Sequence, residues 1–135
     1  MKTNKTNKSV LVVEDERPLQ EAIKIKMRKS GFNVISAKSS NQALNYLRDE
    51  SIGKIDAIWL DHYLLGRESG FDFLVKVKEN PGWEDIPVFV VSNTASPEKV
   101  SAYLELGIDK YYVKSNSRLE QIIEDIKLKT ETKKQ

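Results

Sequence analysis

No cysteine occurs in the chain, which excludes disulfides, thiolate metal sites and cysteine nucleophiles together. Histidine occurs once, at His62, so a multi-histidine zinc site is excluded as well. Glycine and proline are sparse, six and four among 135 residues, and no segment is repetitive, low in complexity or linker-like. No apolar run approaches the roughly 20 residues of a membrane span. The first eight residues, Met-Lys-Thr-Asn-Lys-Thr-Asn-Lys, have no apolar stretch behind their charges, as a signal peptide would. A cytoplasmic location without membrane association is the expectation.

A strong charge of one sign is also missing. The formal net charge is +2, and even that is unevenly placed. Seven of the 22 basic residues lie in the two ends, 1–8 and 127–135, against one of the 20 acidic ones. Residues 9–126 therefore keep 15 basic and 19 acidic residues, a balance of −4. The ends read as solvated basic tails around one domain at 9–126. A basic body would point to nucleic acid, and this body does not.

What the chain does have begins at residues 9–16, Ser-Val-Leu-Val-Val-Glu-Asp-Glu. Four apolar residues run into three acids. Such a run reads as a strand buried on both faces of a parallel sheet. The pattern recurs at Ala57-Ile58-Trp59-Leu60, which ends on Asp61. Carboxylates crowded together raise one another's pKa unless a cation shares the site. Oxygen-only ligands favour a hard cation such as Mg²⁺.

Strands and helices alternate along the chain. Strands are read at 9–14, 32–37, 55–60, 86–92 and 111–113. The first helix, 17–30, carries Leu19, Ala22, Ile23 and Met27 on one face and ends at Gly31. Ser39 or Ser40 caps the second, which carries Ala43, Leu44 and Leu47. Gly66 and Gly70 bracket a loop before a third helix at 71–79, with Phe71, Leu74 and Val75 inward. Asn80-Pro81-Gly82 is a stop signal, and Pro87 belongs at a strand's start. Ser96-Pro97 is an N-cap with proline at N1, opening a helix with Val100, Tyr103 and Leu104 inward and Gly107 at its close. Leu119, Ile122, Ile123 and Ile126 mark a last helix. Trp59 and Phe89 read as core, and Trp83 as half-exposed. Strict alternation predicts a doubly wound, flavodoxin-like α/β sandwich, (βα)₅, with parallel order 2-1-3-4-5. Its switch point then lies between the strands that end in Glu14-Asp15 and Asp61.

Two further strand ends share that rim, Ser92 and Lys114. An ammonium there favours an incoming phosphoryl group, and a hydroxyl can donate to it. A carboxylate is a competent nucleophile toward phosphorus when cations neutralise the phosphoryl oxygens. Simpler roles compete for the neighbours. Glu16 fits a helix N-terminal acid facing the dipole. His62 follows a strand-end aspartate, so its side chain points to the other face and reads as structural or partner-facing. Tyr111 reads either as a core aromatic or as a mobile one.

With these residues in place, the chain resembles the receiver domain of bacterial two-component response regulators, of the chemotaxis-regulator kind. The matching segments are Val-Leu-Val-Val-Glu-Asp-Glu at 10–16, Asp-Ala-Ile-Trp-Leu-Asp at 56–61, Val-Phe-Val-Val-Ser-Asn at 88–93 and Tyr-Tyr-Val-Lys at 111–114. The resemblance implies that Asp61 accepts a phosphoryl group from a histidine kinase or phosphotransfer protein. It implies Mg²⁺ on Asp15, Asp61 and the backbone carbonyl of Tyr63, with Glu14 acting through water. Lys114 and Ser92 would bind phosphoryl oxygens, and Tyr111 would be the aromatic switch. The output would pass through another protein, by the face of residues 97–126, or through an output domain of a longer parent chain.

The chain departs from the family's usual pattern around the pocket. Ser115 replaces the proline after the lysine, and a cis bond before a non-proline costs about 2.5–4 kcal/mol. Leu65 replaces another proline, the loop from Asp61 to Gly70 is one residue longer, Asn93 replaces a small residue, and Ser92 replaces threonine. A degenerate receiver serving only as a protein-binding module is therefore the alternative function. A phosphatase of the haloacid dehalogenase type would need a second aspartate at position 63, where Tyr63 stands.

Overall fold

A computed structural model of the chain describes residues 8–94 and 96–131. The elements alternate as β1 (Ser9–Val13), α1 (Arg17–Lys29), β2 (Asn33–Ala37), α2 (Ser40–Arg48), β3 (Ala57–Leu60), α3 (Gly70–Lys78), β4 (Val88–Ser92), α4 (Pro97–Glu105), β5 (Lys110–Val113) and α5 (Leu119–Glu131). All strand pairs are parallel, in the order β2-β1-β3-β4-β5.

Alternation along each strand sends side chains to two cores. Leu11, Val13, Ile58, Leu60, Val88 and Val90 pack with Ala43, Leu44, Phe73, Leu74, Val77 and Tyr103 from α2, α3 and α4. Val10, Val12, Trp59, Phe89, Val91 and Tyr112 pack with Ile23 and Met27 of α1 and Ile122, Ile123 and Ile126 of α5. The central strands β1, β3 and β4 are almost wholly buried, which is why they read as unbroken apolar runs. Truncating a buried aromatic such as Trp59 costs about 3–5 kcal/mol.

Local signals set the helix ends. Ser39, rather than Ser40, caps α2 by accepting from Gln42 N–H, and Ser96 caps α4 by accepting from Lys99 N–H. Gly107 follows α4 with φ at 89°, a conformation that favours glycine.

Four expectations are corrected. α3 starts at Gly70 inside a Ser69–Asp72 capping box, so Gly70 opens the helix rather than closing the loop. Phe73 and Val77, with Leu74, fill its buried face, while Phe71 and Val75 are only half-buried. Leu104 points outward at 52% exposure, leaving Tyr103 as the buried residue of α4. α5 continues to Glu131, past the boundary read at Ile126, because Thr130 is buried and its hydroxyl donates to the Ile126 carbonyl. The expected tails at 1–7 and 132–135 lie outside the described residues.

Candidate functional site

Parallel pairing of β1 with β3 aligns Val13 with Leu60, so the residues that follow each strand meet at the same edge. Oxygens of Glu14, Asp15 and Asp61 all lie within 4.8 Å of one another. Glu14 is fully buried, Asp61 is 4% exposed and Asp15 is half-buried. Lys114, after β5, reaches into this cluster. Its Nζ is 3.0 Å from Asp61 Oδ2, 3.2 Å from Glu14 Oε1 and 3.5 Å from Glu16 Oε1.

The electrostatics follow from that crowding. Desolvation raises the Glu14 carboxyl to about 7, with the Asp61 charge adding to it, against a donated Glu16 N–H and Lys114. Burial alone would lower Lys114, but its hydrogen bonds and charge contacts with Asp61 and Glu14 win, and its pKa is raised. One lysine thus faces three carboxylates, one of which, Glu16, is exposed. Glu14 Oε1 is buried and has no hydrogen-bond donor, despite the nearby ammonium. An oxygen-only, under-satisfied acidic cluster of this size fits a small hard cation.

The Asp61 edge is held by its loops. Asp61 Oδ1 accepts the His62 N–H at 2.7 Å while Oδ2 faces Lys114. Gly70 N–H donates to the His62 carbonyl at 2.8 Å, and a Cβ at Gly70 would collide with the Asp61 carbonyl oxygen. Ser92 is fully buried at the end of β4, and its hydroxyl accepts the Thr94 N–H. Tyr111 is half-buried, and its hydroxyl donates to the Thr94 carbonyl. The Tyr63 ring is 59% exposed and stands edge-on to His62.

The sequence profile of the response regulator receiver domain matches residues 10–127. The chain belongs to the response regulator receiver domains. The phosphate regulon transcriptional regulatory protein PhoB of Escherichia coli (strain K12) is 33% identical over 113 residues, covering 84% of this receiver domain and 48% of PhoB. The chain spans about half the length of the curated relatives it matches. The Mn²⁺-bound form of response regulator Rcp1 superposes with a TM-score of 0.76 at 25% identity, over 88% of each chain. The Francisella response regulator 1452 receiver domain shares the fold, with a TM-score of 0.82 at 23% identity over 95% of this chain and 100% of that one.

The sequence-predicted residues Glu14, Asp15, Asp61 and Lys114 converge in this receiver domain, and Ser92 and Tyr111 line the two strands beside them. Sequence reasoning missed three contributors. Glu16 is exposed but joins the lysine's acidic partners. Gly70 is required by the closeness of α3 to the Asp61–His62 peptide. Asn93 Oδ1 accepts the Ser115 N–H at 3.1 Å. A proline at 115 would have no N–H to give, so the two departures at 93 and 115 answer each other. Among the described residues no peptide bond is cis.

Proposed function

We propose that this receiver domain accepts a phosphoryl group on Asp61 from the phosphohistidine of a histidine kinase or phosphotransfer protein. The observation that carries the reading is the 3.0 Å contact of Lys114 with a buried Asp61 inside a three-carboxylate cluster. An Asp61 carboxylate oxygen attacks phosphorus. The bond from phosphorus to the donor nitrogen breaks, its electron pair stays on that nitrogen, and the nitrogen takes up a proton. The product is an acyl phosphate on Asp61.

The remaining roles follow from placement. Glu14, Asp15, Asp61 and the Tyr63 carbonyl would hold Mg²⁺. Bound there, Mg²⁺ would neutralise charge on the phosphoryl oxygens. Lys114 leaves its contact with Asp61 Oδ2 to pair with a phosphoryl oxygen, and Ser92 donates its hydroxyl to another. Turning the Ser92 hydroxyl gives up the Thr94 N–H, which loosens the loop that Tyr111 also holds. Tyr111 is thereby freed to change position, and the face of residues 97–126 carries the change to an output protein. The protein signals and does not turn over a substrate. Its place is the cytoplasm, where ATP-fed kinases supply the phosphoryl group. The pocket keeps Glu14, Asp15, Asp61, Ser92 and Lys114 together despite the departures around it, which supports this reading over the binding-only alternative.

Acetyl phosphate with Mg²⁺, read by intact mass, tests the assignment. Wild type gains one phosphoryl group and Asp61→Asn gains none. One-site labelling that persists in Asp61→Asn moves the acceptor elsewhere.

A further inference from the structure

We infer that His62 is a positioning residue for phosphoryl transfer to Asp61, acting through a buried hydrogen bond to Tyr103 that ties the acceptor loop to α4. The inference rests on Asp61 being the acceptor. Five contacts fix residue 62. Its N–H donates to Asp61 Oδ1 at 2.7 Å. Its carbonyl accepts the Gly70 N–H at 2.8 Å. Its Nδ1 lies 2.7 Å from the Tyr103 hydroxyl. Its ring packs edge-on against Tyr63 and Tyr103.

Nucleophilic attack needs the carboxylate aimed, and small misplacements of a reacting group are costly in rate. Asp61 has one oxygen on the His62 N–H and the other on Lys114, so the plane of its carboxylate depends on where the His62 peptide sits. That peptide belongs to a loop, which the Gly70 N–H holds on the α3 side only. The imidazole adds a second anchor, to α4.

The anchor is a strong one. His62 is 8% exposed and Tyr103 is 0% exposed, so neither group exchanges its partner for water. The ring's tautomer sets which of Nδ1 and the Tyr103 hydroxyl donates, and the bond is made in either case. Tyr103 also touches Phe71 at 5.3 Å and Tyr111 at 5.8 Å between ring centroids. The residue that orients the acceptor is thus bonded to the side chain that packs on the proposed switch.

The test uses the full chain and acetyl phosphate with Mg²⁺, with initial labelling rates followed against donor concentration. Tyr103→Phe removes one oxygen and keeps the ring. His62→Phe keeps an aromatic filler and removes the nitrogen. His62→Asn offers an amide oxygen near the Nδ1 position. The expected result is a maximal rate lower by roughly tenfold in Tyr103→Phe and His62→Phe, with the half-saturating donor concentration unchanged. His62→Asn is expected to recover to within about threefold of wild type. A residue that only fills space gives the reverse order, with His62→Phe active and His62→Asn impaired. That order, or a wild-type rate in Tyr103→Phe, overturns the inference while leaving Asp61 as acceptor. Wild type that takes no label, or Asp61→Asn that does, overturns the acceptor reading and this inference with it. Should His62→Phe fail to fold, Tyr103→Phe decides alone.

Discussion

The two ends of the one sheet use aspartate in opposite ways. At the N-terminal end, Asp56 precedes β3 and Asp109 precedes β5. Asp56 N–H donates to the Ser9 carbonyl at 2.8 Å, and its Oδ2 accepts the Ser9 N–H at 2.9 Å. Asp109 repeats the clasp on β4, donating to the Val88 carbonyl at 2.8 Å and accepting the Val88 N–H at 3.1 Å. Each also has its own lysine, Lys54 at 3.7 Å and Lys129 at 3.0 Å. At the C-terminal end, Glu14, Asp15 and Asp61 crowd together around Lys114, and Glu14 Oε1 is buried without a donor. Satisfied acids hold strand register. Under-satisfied acids leave free energy to be gained when a cation arrives.

The largest expected effect lies at the C-terminal end, where Asp61→Asn abolishes acetyl phosphate labelling. The same assay on Asp56→Ala should give a rate within about twofold of wild type, because register and chemistry are separate at the two ends. Lost labelling in a folded Asp56→Ala protein would break the comparison.

Next in size is a pH effect at Glu14. Its carboxyl stands at about 7 in the folded chain and 4.5 ordinarily. A raised carboxylate pKa means that the folded state holds the proton more tightly. The stability this adds is fully present below about 4.5 and is lost as pH rises through about 7. Without divalent metal, wild type should lose up to about 3 kcal/mol relative to Glu14→Gln across that interval. Urea denaturation at pH 5 and pH 8 measures it. Saturating Mg²⁺ should flatten the wild-type dependence and raise its melting temperature, and Asp15→Ala should lack that rise. A metal-free Glu14→Gln protein with the same pH profile as wild type would remove the contrast between the ends.

At the N-terminal end, Asp56→Ala and Asp109→Ala should each cost about 1–2 kcal/mol, since each leaves a strand's first N–H without its acceptor. Chemical denaturation reads this directly. The smallest effect belongs to Asn93→Ala. It removes one exposed hydrogen bond to Ser115 N–H, and the expected cost is at most about 0.5 kcal/mol. A loss above about 2 kcal/mol would show that this clasp, and not burial, holds Lys114 in place.

Much of this was legible in the residues. The alternating runs predicted the sheet order, because burial on both faces leaves near-continuous apolar strands and a parallel sheet needs crossover helices. The acids are legible because each ends an apolar run, and a strand end has a definite place in such a sheet. Boundaries were less legible. Gly70 looked like loop punctuation, although the Asp61 carbonyl beside it explains the glycine. Leu104 looks inward because its spacing fits, yet of that set α4 turns Tyr103 fully to the core and leaves Leu104 exposed. The end of α5 was hidden in lysines, and only the burial of Thr130 shows that the helix continues.

The sequence by itself determined the fold class, the order of the strands and the meeting of Glu14, Asp15, Asp61 and Lys114 at one edge. Periodicity and strand ends are local features, and they carry that information. Only the tertiary structure decided that His62 bonds Tyr103, 41 residues away, and that Asn93 bonds Ser115, 22 residues away. It also decided that Leu65 N–H pairs with the Lys38 carbonyl to pin the long loop. These contacts join loops and helices distant in sequence. They depend on how far each helix is pushed over the sheet by the side chains beneath it, and no local pattern records that distance.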